Sequence, residues 1–151
     1  MKARITVLTL GLVLVGVAPC FAQDAQMGTW KLNEAKSKIA PGTPRNTKVI
    51  CEAAGDNVKV KVDGIGSDGK PTHNEWTGKF DGKDYKVTGT TDYDTRSYIP
   101  AGKHSLSMTI KKGDKTVITG KVAIAPDGKT RTVTTTGSEP SMNNEAVYDK
   151  Q

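Results

Sequence analysis

Cysteine and histidine are scarce in this chain, with two of each among 151 residues. That scarcity argues against a disulfide framework and leaves little for a metal centre or a Ser-His type of catalytic site. Aromatic residues make up 5% and hydrophobic residues 35%, a thin supply for a helical bundle with a densely filled core. Long apolar runs are limited to one, Ile5 to Ala18, and at about 14 residues it is short of the ~20 that span a bilayer as a helix. The length suits one domain.

What is there at the start has a specific form. Met1-Lys2-Ala3-Arg4 is positive, the apolar run follows, and Cys20-Phe21-Ala22 gives a small-x-small site, the organisation of a cleaved export signal. The expectation is a signal peptide at 1–22 and a single exported domain at 23–151, in the periplasm or the medium. An alternative is lipid modification, since Val17-Ala18-Pro19-Cys20 puts a cysteine where a bacterial lipoprotein is cut and acylated; Pro19 suits that cut poorly. With Cys20 gone, Cys51 has no disulfide partner. An odd thiol can serve as a nucleophile, but Cys51 alternates with Val49 and Ala53, which points it inward as a small hydrophobe.

Charge excludes a second class. The formal +6 falls to +4 once Lys2 and Arg4 are removed, and no basic block is interleaved with stacking aromatics, so no nucleic-acid partner is expected. Lysine instead alternates with valine in Val58-Lys59-Val60-Lys61-Val62, the wet face of a half-buried strand.

Glycine is abundant, and it is placed for reversals. Asp-Gly-Lys recurs at Asp68-Gly69-Lys70, Asp81-Gly82-Lys83 and Asp127-Gly128-Lys129, and Asp63-Gly64 adds a further Asp-Gly pair. Glycine accepts φ > 0 and aspartate bonds its own backbone, which together make tight hairpin turns. Between turns the apolar period is two, as in Leu106, Met108 and Ile110. The spacing predicts strands near 28–32, 47–53, 57–63, 72–80, 84–89, 93–99, 104–111, 115–125, 130–136 and 144–149. Asn33 to Ile39 carries the one helix-start signal, with Asn33 as N-cap, and Pro41-Gly42 ends it. About ten antiparallel strands joined by short turns form a meander, which removes its exposed edges by curling into an up-and-down β-barrel with at most one short N-terminal helix.

Gly28-Thr29-Trp30-Lys31-Leu32-Asn33 resembles the G-x-W start of lipocalins and fatty-acid-binding proteins, the calycin barrels. Val133-Thr134-Thr135-Thr136-Gly137 and Ala146-Val147-Tyr148-Asp149-Lys150 resemble the last two strands of that superfamily. Gly78-Lys79-Phe80-Asp81-Gly82-Lys83-Asp84-Tyr85 is similar to a segment of exported bacterial proteins described as lipocalin-like. The resemblance implies an interior that takes a small hydrophobic or amphipathic ligand. It departs at one point: fatty-acid carriers close with Arg-x-Tyr, which holds a carboxylate, and here Ala146-Val147-Tyr148 keeps only Tyr148. A fatty acid is therefore not the default ligand.

Ligand sites of such barrels lie inside or at the mouth. The candidates are Trp76 and Phe80 as apolar wall, Arg96 and Arg131 as anchors for an anionic head group, and Tyr98, Met108 and Tyr148 beside them. Large aromatics also fill small cores, so Trp30 is expected as a plug at the barrel base. Arg96 and Tyr98 share one parity, so the anchor role requires that face to turn inward; charges are seldom buried unpaired, which favours the two arginines on the outside instead. His73 and Glu75 share a strand face without a third visible metal ligand, and Asp92 and Asp94 sit in a turn; both pairs are expected in water. No G-x-S-x-G elbow or phosphate-cradling loop occurs, so neither an enzyme nor a cofactor is expected.

Two readings follow for a chain expected to be monomeric and without a membrane span. A carrier of a small amphipathic ligand calls for an interior space of roughly 300 Å³ or more. A filled barrel acting as a protein-interaction or structural module of the cell envelope calls for an exposed apolar patch of several hundred Å².

Overall fold

The computed structural model describes residues 21–151; the charged and apolar regions of the expected signal segment lie outside the described residues. A short helix α1 (Phe21–Gln26) leads into ten strands: β1 (Gly28–Leu32), β2 (Arg45–Ala54), β3 (Asn57–Ile65), β4 (Pro71–Gly78), β5 (Tyr85–Gly89), β6 (Thr95–Pro100), β7 (Ser105–Lys112), β8 (Lys115–Ile124), β9 (Thr130–Gly137) and β10 (Asn144–Lys150). Each strand pairs antiparallel with its neighbours in sequence, and β1 pairs with both β2 and β10, so the sheet closes on itself. The expected up-and-down barrel is the observed fold.

Alternation explains which face each strand turns inward. In β3, Val58, Val60 and Val62 are buried, while Lys59 and Lys61 point out to Glu75 and Glu52 at 3.0 and 3.1 Å. Such exposed pairs add little stability, but they keep the outer face wet and discourage edge-to-edge association. The core is therefore the lumen itself, filled from all sides by every second residue.

The three Asp-Gly-Lys segments all form turns by one device. The Lys N–H donates to the aspartate two residues earlier, at 3.0 Å for Lys70 to Asp68, 3.1 Å for Lys83 to Asp81 and 2.9 Å for Lys129 to Asp127. Their central glycines sit at φ +77°, +80° and +71°. Asp63-Gly64 is different. It lies within β3, where Gly64 faces Asn46 and Thr72 across the ladders, and a Cβ there would meet the Arg45 carbonyl oxygen at 2.6 Å. Glycine serves there as a close approach between backbones, not as a reversal.

The helix expectation also shifts. Asn33 caps only a single 3-10 turn, Glu34–Lys36, accepting from the Lys36 N–H at 3.2 Å, and the one α-helix among the described residues forms earlier, at α1. Its Ala and Gln residues are good helix formers even without a strong start signal. After the turn, Lys38 bridges to Glu145 and the Ser37 hydroxyl accepts from the Val147 N–H at 2.9 Å, so this segment covers the outside of β10.

Trp30 is fully buried, and its indole N–H donates to the Gln26 carbonyl at 2.9 Å, tying α1 to the barrel base. The Lys150 ammonium lies 5.3 Å from the centre of the Trp30 ring. Trp30→Ala is expected to cost about 3–5 kcal/mol in urea unfolding, as a cavity at a site that cannot collapse. Ile99, 56% exposed, serves as the control: Ile99→Ser should change stability by no more than about 0.5 kcal/mol.

Candidate ligand-binding interior

Both candidate arginines are inside the barrel, which overturns the expectation that they lie outside. Arg96 is 5% and Arg131 7% exposed. The strand period is the reason: Arg96 shares its inward position with Tyr98 two residues on, and on β9 Arg131 faces the same side as Val133 and stands opposite Tyr148 on β10. Turning either arginine outward would turn its whole strand.

The two guanidiniums are received by neutral groups. Arg96 donates to the Tyr93 hydroxyl at 2.5 Å and to the Tyr98 hydroxyl at 3.4 Å, with its Cζ 5.2 Å from the centre of the Tyr93 ring. Arg131 approaches the Cys51 sulfur at 3.9 Å and lies 5.9 Å from the centre of the Tyr148 ring. Among the described residues, the buried polar and charged groups are Gln26, Thr43, Asn74, Arg96, Ser97 and Arg131, so the interior holds two positive charges and no carboxylate. Arginine cannot shed its proton at any ordinary pH. Each burial therefore costs several kcal/mol that hydroxyls and rings offset only in part.

The same lumen shows its charge in its neighbours. Burial raises the Tyr148 phenol to about 12 against the downward pull of Arg131 and Arg96. Burial likewise pushes the Cys51 thiol up, again opposed by Arg131 first and then by Arg96. Arg131 on β9 thus meets Cys51 on β2 and Tyr148 on β10 inside the closed ring, and Arg96 on β6 pulls on the same two groups. Cys51 is buried as expected, and its raised pKa works against a nucleophilic role.

The aromatic candidates sit beside this charge. Trp76 stacks on Tyr98 with ring centres 5.2 Å apart, and Phe80 packs against both at 6.2 and 5.6 Å. Phe80 follows the end of β4 instead of belonging to it, yet the connection folds it inward. Tyr85 lies directly over Gly78, where a Cβ would meet its ring at 2.3 Å. Met108, opposite Tyr98 in register, is buried with its methyl over Gly120. Tyr148 donates to the Asn46 carbonyl at 3.2 Å. Arg131 on β9 stands opposite it.

Several buried atoms here lack a hydrogen-bond partner in the protein: the Nε of Arg96, the Nε of Arg131, the indole Nε1 of Trp76 and the side-chain oxygen of Asn74. Asn74 was legible in the sequence, since an outward His73 and Glu75 force Asn74 and Trp76 inward on the same strand. Tyr93 was not: the expected strand at 93–99 gives it the parity opposite to Arg96 and Tyr98, whereas β6 begins only at Thr95 and the bend before it brings the Tyr93 hydroxyl to Arg96.

Two depressions, of about 440 and 230 Å³, do not supply the interior space expected of a carrier. The larger crosses the wall of β7, β8 and β9 among Ser107, four threonines and Lys121, with Met108 and Gly120 also lining it, and the smaller lies between the 3-10 turn and Arg45. The lumen is occupied by the side chains just described. Among the described residues no group of three or more His, Cys, Asp or Glu is arranged to hold a metal ion, and no helix is long and apolar enough to cross a membrane. Comparison of the chain with protein-family models and with curated proteins returns no match.

His73 is exposed on the outer wall, between Asp63 at 2.7 Å and Glu75 at 3.2 Å. Asp92 and Asp94 are exposed as well, Asp94 accepting from the Gly113 N–H at 2.6 Å. The Asp63 and Glu75 carboxylates facing both ring nitrogens favour the imidazolium and raise the His73 pKa above 6.5. A raised folded pKa stabilises fully below the unfolded value near 6.5 and loses that contribution as pH rises through the folded value. Proton NMR should place the His73 midpoint above 6.5, with Asp63→Asn moving it down; an unmoved midpoint would contradict the pairing.

The uncompensated charge makes a second prediction. Arg131→Met, similar in length and apolar, should raise the unfolding free energy of the ligand-free protein by about 1–3 kcal/mol, because it removes a buried cation that has no acidic partner. A loss of more than about 1 kcal/mol in denaturant unfolding would mean that the ring and thiol contacts outweigh desolvation.

Proposed function

We propose that the barrel binds a small amphipathic anion in its interior, with the acidic group held by Arg96 and Arg131 and the apolar part against Trp76, Phe80 and Met108. One observation carries this reading: two guanidiniums are enclosed together without an acid among the described residues. Residues that cost stability in this way persist where binding uses them. Arginine offers a planar fork to carboxylate, sulfate or phosphate oxygens, and such charge-assisted bonds are stronger in a low-dielectric interior than at a surface. Because side chains fill the lumen, entry of the apolar part requires the Trp76, Phe80 and Tyr98 cluster to shift, which favours short ligands over long acyl chains.

The proposal includes export, from the form of residues 1–22, and reversible binding without catalysis. The interaction-module reading has less support. Ile99 is the only large hydrophobic residue exposed among those described, so no apolar patch of the required size is present there.

Titration of the purified protein with n-hexyl sulfate, n-hexanoate and n-hexanol, followed by tryptophan fluorescence and calorimetry, tests the reading. The two anions are expected to bind at least about tenfold more tightly than the alcohol, a difference of about 1.4 kcal/mol. Arg96→Gln combined with Arg131→Gln should erase that difference. Equal affinities for anion and alcohol, or no binding of either anion, would sink it.

A further inference from the structure

The interior around Arg96 holds more hydrogen-bond donors than acceptors. The Tyr93 and Tyr98 hydroxyl oxygens both accept from Arg96. Each phenol then still has its own proton to donate. The Arg96 Nε and the Trp76 Nε1 add two buried N–H groups without partners, and Trp76 stacks on the same Tyr98. On the facing wall the Arg131 Nε is unpartnered too, and Arg131 is 7% exposed. Against these donors stands one orphan acceptor on this part of the wall, the Asn74 side-chain oxygen on the same face of β4 as Trp76. A donor-rich, doubly positive site fits a group that only accepts, from several directions at once.

Charge separates the candidates for that group. A carboxylate or sulfate ester carries one negative charge and leaves the second buried guanidinium uncompensated. A phosphate monoester carries close to two at neutral pH and presents three terminal oxygens, enough for a bond to each arginine and one to a tyrosine hydroxyl. We infer that the head group recognised by this barrel is a dianionic phosphate monoester or phosphonate bridging Arg96 and Arg131, with Tyr93 and Tyr98 donating to its remaining oxygen. This rests on the interior anion site proposed above and narrows its ligand from any amphipathic anion to a dianion.

Tyr93 acquires a role of its own in this arrangement. It comes from the bend between β5 and β6, the two strands joined by only the Tyr85–Arg96 and Lys86–Thr95 register pairs. Its hydroxyl is both a partner that holds Arg96 and a donor available to the phosphate, so it positions the guanidinium and reads the ligand. Tyr93→Phe keeps the ring over Arg96 and removes only the hydroxyl.

The experiment compares n-hexyl phosphate with n-hexyl sulfate on the full domain by calorimetry between pH 5 and 8. The pair share the tetrahedral head and the alkyl chain and differ in charge. At pH 7.5 the phosphate is expected to bind at least about tenfold more tightly than the sulfate, and this advantage should collapse below the second phosphate ionisation near pH 6. Sulfate affinity should stay flat over that range. The ionisable groups facing the site are Cys51 from β2, Tyr93 and Tyr98 at β6 and Tyr148 from β10, with Cys51 and Tyr148 shifted upward. His73 is on the outer wall and His104 lies in the turn before β7. Arg96→Gln and Arg131→Gln should each bring the phosphate-to-sulfate ratio near one, and Tyr93→Phe should reduce it while leaving the fold intact by circular dichroism. The wild-type comparison decides without any variant. Equal binding of phosphate and sulfate at pH 7.5 would overturn the dianion inference and leave the anion site standing, whereas failure of both ligands to bind would overturn the two together.

Discussion

Pairing of the first strand with the last is the contact on which everything else depends. Trp30, Lys31 and Leu32 face Lys150, Asp149 and Tyr148 across the seam, and this ladder turns a ribbon of hairpins into a ring with no free margin. Only after closure do alternate residues have an inside to face. The segment after β1 supports the closure from outside, where the Asn33 amide donates to the Asp149 carboxylate at 2.6 Å and Lys36 pairs with the same group at 3.2 Å. Those contacts hold the Asp149 carboxyl below its usual range, through Asn33 first and Lys36 second.

Closure also sets the terms for charge. A guanidinium on an open sheet could lean toward water, but on an inward position of a closed ring it remains among side chains. Arg96 and Arg131 are held there by the period of their own strands, and turning either one out would expose Tyr98 or Val133 in exchange. The interior accommodates them with the softest partners it has: phenol oxygens, ring faces and a thiol. None of these neutralises a cation. The result is a core that is apolar at Trp30 and electropositive where β6 and β9 face β2.

Strand number, order and approximate ends were legible in the sequence because alternation and Asp-Gly turns are local signals, and a meander leaves few alternatives for pairing. The interior positions of Trp76, Met108 and Tyr148 could be read for the same reason, while Tyr98 shares its face with Arg96 and went with it. What could not be read were relations across the ring. Cys51 and Arg131 meet only because β1 brings β2 beside β10 and hence near β9, a consequence of closure and not of any motif. The outward expectation for the arginines came from weighing each charge alone, whereas the fold weighs the whole strand. Tyr93 escaped because the expected strand at 93–99 carried it past the bend and onto the parity opposite to Arg96, and Asp63-Gly64 misled because glycine serves close backbone approach as readily as it serves turns.

The filled lumen and the unpaired charge pull the function in one direction. A roomy apolar cavity would hold ligands by area and would discriminate weakly among them, since each methylene contributes only about 0.8 kcal/mol. Here there is little open area to offer, and the unspent interactions are polar donors fixed by strands on three sides. Selectivity in such a site comes from the head group: a ligand that matches the donors gains, and one that lacks acceptors leaves buried N–H groups unpaired. The apolar cluster of Trp76, Phe80 and Tyr98 packs against itself, and in the function proposed it would be the part that yields to a tail. In the function proposed, such a barrel would read the charged end of a small molecule and merely accommodate the rest.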